Sequence, residues 1–325
     1  MRKSTIVFAA VLALQAQAHP SRPPRPGVST PGVRIPMKKL TPDAVYTIGG
    51  APDWMAIDDE TWVSNGPKNM VARMDPKSTT FVTVPVGKEP CSGLAAGFGS
   101  LWVPNCGDST ITRVGLKDGK VQATFPLTIA DSEGGVAVGA GSFWILTDTH
   151  GTLARVDPDT NKVVAEIYVP PGSFAVAFGE GAIWVTSTER SVVTRVNQYT
   201  NLVEASIPVG PKPRFITVGE GGVWTLNQGD GSVSRIDPKT NKVSATIDVG
   251  VPGGGGEISA GEGSVWVTAM EYPLTRIDPS TNKVVQQFAG DGGDSVRAGH
   301  GWVWLTHLRT GLVWRLDPRR IEATR

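Results

Sequence analysis

The sequence predicts an all-β chain, a seven-bladed β-propeller of four-stranded blades closed by an N-terminal strand that completes the last blade. Three observations carry this. Trp recurs at 62, 102, 144, 184, 224, 266 and 304, at spacings of 38 to 42 residues. Arg recurs at 73, 113, 155, 195, 235, 276 and 315, each 10 or 11 residues after its Trp. Turn signals fall at matching places in each copy, and the β-branched segments between them alternate with no helical period. Four short strands per ~40 residues is the unit of a propeller.

The fifth copy shows the elements in order: FITVG, GVWTLNQ, SVSRIDP and KVSATIDVG. Glu220-Gly221 makes the tight hairpin turn between the first two, since Gly suits a positive φ. Asp237-Pro238 with Thr240-Asn241 turns between the last two. The last copy stops after its third strand, LVWRLDP. The segment AVYTIGG (44–50) matches a fourth strand and precedes the first blade, so it is expected to complete blade 7 as its outermost strand. The short tail after Asp317-Pro318 is the competing candidate. A Trp and an Arg needed once per blade are framework residues, not a site.

Before the repeats, residues 1–18 (MRKSTIVFAAVLALQAQA) carry a basic start, an apolar stretch and a small-x-small end at Ala16-Gln17-Ala18. This reads as a secretory signal peptide cleaved after Ala18. Residues 19–42 are rich in Pro and Arg and are expected to be a disordered leader, with 43–325 as the single propeller domain. Export is the expected localisation, periplasmic or secreted. With 31 basic and 30 acidic residues the chain has no footprint for nucleic acid. No later stretch is long and apolar enough for membrane insertion. A monomer is expected.

The only two cysteines, Cys91 and Cys106, belong to blade 2. Counting from the Phe98-Gly99 turn places them opposite each other at a hydrogen-bonded pair. A disulfide is expected, since export puts them in an oxidising compartment.

The pattern G-x-G-x-x-W-V, followed by R-I-D-P-x-T-N-K-V-x-A-T-I-x-V-G, resembles the exported YVTN-type propellers of bacteria. It also resembles the wider group containing virginiamycin B lyase, the streptogramin lyases. The resemblance covers about residues 44–318 and implies the fold strongly. Its matching residues are the framework ones, so its bearing on function is weak.

Sites in a propeller gather at one mouth of the central channel, where single, non-repeated residues stand out. Asp53, Glu133, Arg214, Glu257 and Asp294 enter the first strands. Asn65, Asn105, Asn227 and His307 lie three residues past their repeat Trp. Asp53, Asn65, Asn105, Arg214, Asn227 and Asp294 are therefore the ligand-binding candidates. The lyase resemblance implies histidines with a nearby Glu and Mg²⁺, opening a lactone ring by elimination. A base must take the proton beside the carbonyl, and an acid or metal must help the leaving oxygen. His307, His150, Glu257 and Glu133 are the candidates, but no Glu-x-His triplet occurs in the chain. Mg²⁺ or Ca²⁺ is possible at acidic mouth residues, and the sequence specifies neither. The favoured reading is a non-catalytic propeller binding a small molecule or a protein partner at its upper mouth. The alternatives are a Mg-dependent lyase of the streptogramin type and, more weakly, a metal-dependent lactone hydrolase.

Overall fold

A computed structural model of the chain describes residues 26–130 and 133–325. Seven sheets form a ring, each built on an antiparallel four-stranded blade; five blades are four consecutive strands, and two receive a strand from the N-terminal segment. The innermost strands are Pro52–Ile57, Ala95–Gly97, Val136–Gly139, Ser173–Gly179, Pro213–Gly219, Ile258–Gly261 and Val296–Gly299. The expected signal peptide lies outside the described residues.

The hairpin reading holds residue by residue. Glu220 and Gly221 have φ of 48° and 72°, the two positive angles of a turn whose twist matches the strands. Each repeat Trp is at most 1% exposed and packs into the following blade. Trp184 lies with Val223 and Ile236 of blade 5, and Trp304 of blade 7 lies with Met55 and Val63 of blade 1. In every blade the Trp pairs across the sheet with its Arg, as Trp224 does with Arg235. The guanidinium of Arg235 stands 4.7 Å from the Trp224 ring centroid, within cation–π range.

Closure follows the expectation. Ala44–Thr47 pairs antiparallel with Leu312–Arg315 as the outermost strand of blade 7. The competing tail instead forms a short helix, Pro318–Ala323, capped by the Asp317 side chain, which accepts from Arg319 N.

Two details differ from the sequence reading. Part of the leader is ordered: Arg34–Pro36 adds to blade 6 as a fifth strand, parallel to Gln287–Ala289. Val33, Ile35 and Met37 alternate into the core at 8% exposure or less. Gln287, itself fully buried, accepts from Val28 N and donates to Val249 O. Pro and Arg dominate the composition here, but the alternating apolar residues between them supply a buried face. Residues 19–25 lie outside the described residues.

The disulfide Cys91–Cys106 is present, with Cα atoms 5.9 Å apart, but its register differs. Ala95 pairs with Trp102, whereas Pro90 bridges Asn105. Two extra residues are absorbed where Ser92 and Gly93 take φ of 55° and 103°. Cys91 N donates to Pro104 O and Cys106 N to Glu89 O. The cysteines are therefore diagonal rather than directly opposed, still within the Cα separation a disulfide accepts.

Gly253–Gly256 is a loop on the same face as the other strand entries. A Cβ at Gly256, whose φ is 87°, would stand 1.8 Å from Thr268 O, so only glycine fits this crossing.

Candidate functional site

Blades 1, 3, 5, 6 and 7 each carry one charged residue at or just before the start of the first strand: Asp53, Glu133, Arg214, Glu257 and Asp294. Asp53 and Arg214 are the second residues of their strands, Glu257 immediately precedes its strand, and Asp294 lies two residues before its own. These residues are arranged in pairs. Arg297 ion-pairs with Glu257, which also accepts from Ser295 Oγ and, at 3.1 Å, from Val296 N. Arg214 of blade 5 ion-pairs with Glu133, which precedes blade 3. The Arg214 guanidinium lies 4.5 Å from the Phe174 ring centroid. Asp53 of blade 1 hydrogen-bonds Asp294 at the entrance to blade 7.

Beneath these groups the channel is apolar. Trp54 and Phe215, from blades 1 and 5, meet with ring centroids 6.0 Å apart. Those blades are not neighbours, so the contact runs across the ring axis. Phe174 packs edge-on against Phe215 at 6.2 Å. The mouth is a shallow polar cup over an aromatic floor.

The low dielectric of this cup shifts its carboxyl groups. Burial first, and then the charges of Asp294, Glu257 and Glu133, push Asp53 up to about 8. Burial and the charges of Glu257 and Glu133 push Asp294 up to about 6, opposed by the hydrogen bond from Asp53. At neutral pH Asp53 is the protonated donor and Asp294 the carboxylate acceptor. Burial also raises Glu257, against the pull of Arg297.

The other sequence candidates are placed elsewhere. Asn65, Asn105 and Asn227 are fully buried, and their amides bond within the blade framework. Asn227 donates to Ser232 Oγ and Ser234 Oγ, Asn105 to Thr110 Oγ1 and Thr112 Oγ1, and Asn65 to Gly49 O. They tie the second strand to its surroundings and present nothing to the mouth. His150 is exposed on a loop of blade 3. His307 is 7% exposed and packs tilted against Trp314, with ring centroids 4.2 Å apart. Burial holds it down to about 4, so it is neutral at physiological pH. Its Nδ1 accepts from Gly293 N at 3.3 Å, which leaves the proton on Nε2, a buried atom with no hydrogen-bond partner. A ring so placed has no free lone pair with which to act as a base.

Trp54, Phe174, Phe215 and Arg297 escaped the sequence reading. Trp54 and Phe215 directly follow Asp53 and Arg214, so alternation along the first strands was the available signal.

The donor set does not fit a resident metal ion. Glu257 and Glu133 are each engaged by an arginine, and Asp53 and Asp294 by one another. Among the described residues no group of three or more His, Cys, Asp or Glu side chains is placed to hold an ion.

No protein-family model and none of the curated proteins matches the chain. Solved structures do. A streptogramin B lyase aligns with a TM-score of 0.68 at 19% identity, over 82% of this chain and 93% of its own. The selenomethionine-substituted virginiamycin B lyase of Staphylococcus aureus gives 0.70 at 16%, over 82% and 94%. A catalytically inactive variant of that enzyme, crystallised with quinupristin, gives 0.71 at 16%, over the same shares. The fold is that of the streptogramin B lyases. Identities this low carry the architecture of those lyases and no residue role. Among the described residues no helix is long and apolar enough to cross a membrane.

Proposed function

We propose that the protein is an exported, non-catalytic propeller that binds a small molecule bearing a protonated amine at the upper mouth of its channel. The Asp53–Asp294 pair above the aromatic floor carries this reading. The pair holds one proton and one negative charge at neutral pH. An ammonium group supplies several N–H donors in place of that proton, and the apolar part of the ligand rests against Trp54 and Phe174. Arg214 and Arg297 are held by their own glutamates, so the pair is the part of the cup left for a cation. The basic and apolar start of the chain and the Cys91–Cys106 bridge support export.

Titration calorimetry with benzylamine at pH 7, in two buffers of different ionisation enthalpy, tests the site. Saturable binding with proton release, lost in Asp53→Asn, is the expected result. Binding that is absent, or unchanged in Asp53→Asn, overturns it. Incubation with quinupristin and Mg²⁺, followed by mass spectrometry, tests the lyase alternative. The expected result is intact antibiotic, because no histidine at the mouth is free to act as base. A ring-opened product would replace the binding reading with the lyase one.

A further inference from the structure

The lower face of the ring carries a second pattern. Arg113, Arg155, Arg195 and Arg235 each reach across to the turn between third and fourth strands of the next blade. There Nη1 donates to a main-chain carbonyl, of Pro158, Gln198, Pro238 or Pro279. It also donates to the Oδ1 of Asn161, Asn201, Asn241 or Asn282, at 2.8–3.0 Å. These asparagines have φ of 55–59°, a left-handed angle that Asn tolerates better than most residues. Each of these four junctions is thus sealed by a carboxamide oxygen set against an arginine.

At the junction of blades 7 and 1 the seal is missing. The turn reads Asp75-Pro76-Lys77-Ser78-Thr79-Thr80, with Thr79 where the other turns carry Asn. Thr has no carboxamide, and its branched Cβ disfavours the left-handed angle. Arg315 donates to Pro76 O and faces the Tyr46 hydroxyl, while its Nε is buried without a hydrogen-bond partner. Beside it opens a cavity of about 430 Å³, bounded by Arg315, Lys77, Asp58, Asp59, Ile57 and Trp302. Neither Arg315 nor Lys77 forms an ion pair among the described residues. The volume falls in the range of small-molecule pockets, about 300–1,000 Å³.

We propose that this cavity binds a free α-amino acid with an apolar side chain. Its carboxylate takes the acceptor place that Asn fills at the four junctions from blade 2 to blade 6, meeting Arg315 and Lys77. Its ammonium group meets Asp58 and Asp59, and its side chain lies against Ile57 and Trp302. The two acids and two bases are disposed for a zwitterion, and a simple anion would leave the aspartates opposed to it.

The test is calorimetry with L-phenylalanine on the full chain, wild type and two variants. Thr79→Asn supplies the repeat's own carboxamide to Arg315. Lys77→Ala removes an exposed cation without touching the core. Saturable binding to wild type is expected, weakened about tenfold or more in each variant. Phenylacetate should bind more weakly than phenylalanine, and the phenylalanine site that is sensitive to Thr79→Asn and Lys77→Ala should persist in Asp53→Asn, whatever the mouth itself binds. Affinity equal in wild type and both variants overturns the assignment. So does loss of binding in Asp53→Asn alone, which would move the ligand to the mouth. No saturable binding to wild type up to about 20 mM also overturns it.

Discussion

Asp53 and Asp294, from blades 1 and 7, are joined by a hydrogen bond in which Asp53 keeps its proton at neutral pH. Folding raises the Asp53 pKa from near 4 to about 8, so between those values the folded protein binds more protons than the unfolded chain. Stability falls as pH rises through that window. His307 acts oppositely, because its folded value of about 4 lies below its unfolded 6.5. Its contribution is full above about 6.5 and is lost as pH falls toward 4. Between pH 6.5 and 8.5 Asp53 dominates. Urea midpoints should drop over this interval for wild type and stay nearly flat for Asp53→Asn. Parallel profiles would refute the shared proton.

The inter-blade seal can be dissected at one position. Asn241→Gly keeps the left-handed φ and loses the acceptor for Arg195, costing about 1 kcal/mol. Asn241→Ala must also adopt that φ, at about 1 kcal/mol more. Chemical denaturation should therefore rank wild type above glycine above alanine. If the two substitutions cost the same, the backbone angle is not part of the reason for asparagine.

The disulfide closes a short loop, with a sequence separation of 15. Replacing both cysteines by serine should cost about 3 kcal/mol. Thiol counting on denatured, unreduced protein should find no free thiol.

Deletions from the N-terminus should act in two steps. Removing residues through Lys39 strips the parallel strand and the buried Val33, Ile35 and Met37, and lowers Tm. Removing them through Gly50 also takes the strand paired with Leu312–Arg315 and should lower Tm much further. Equal melting temperatures by calorimetry would contradict the closure.

The framework was legible because it repeats. Trp and Arg at fixed spacing announced the blades, and AVYTIGG matched a fourth strand with nowhere else to go. What does not repeat was harder to read. The strand Arg34–Pro36 is three residues long and pairs in parallel, and its neighbours are the prolines and arginines of a typical linker. Asn65, Asn105 and Asn227 shared a face with the mouth in the repeat arithmetic, yet they turn inward to bond their own blades. Trp54 and Phe215 meet across the axis, a contact that no local period encodes. The diagonal cysteines needed a two-residue slip at Ser92 and Gly93 that strand counting cannot supply.

The segment around Arg34–Leu40 and the C-terminal helix converge on blades 6 and 7. The helix Pro318–Ala323 gives its Ile321 carbonyl to Gln286 and its Glu322 to Arg276, the arginine that has no asparagine to meet in blade 7. Lys39 Nζ donates to the terminal Arg325 carbonyl, and Ile35, Met37, Leu40 and Ile321 share one apolar cluster. An open array of repeats can fray from its first or last unit. Here there is no outermost unit to lose, so amide exchange should show a single global opening rather than a ladder of partial ones. Cutting the backbone in one upper loop should therefore leave the circle closed, whereas unpicking either terminus should loosen every blade together.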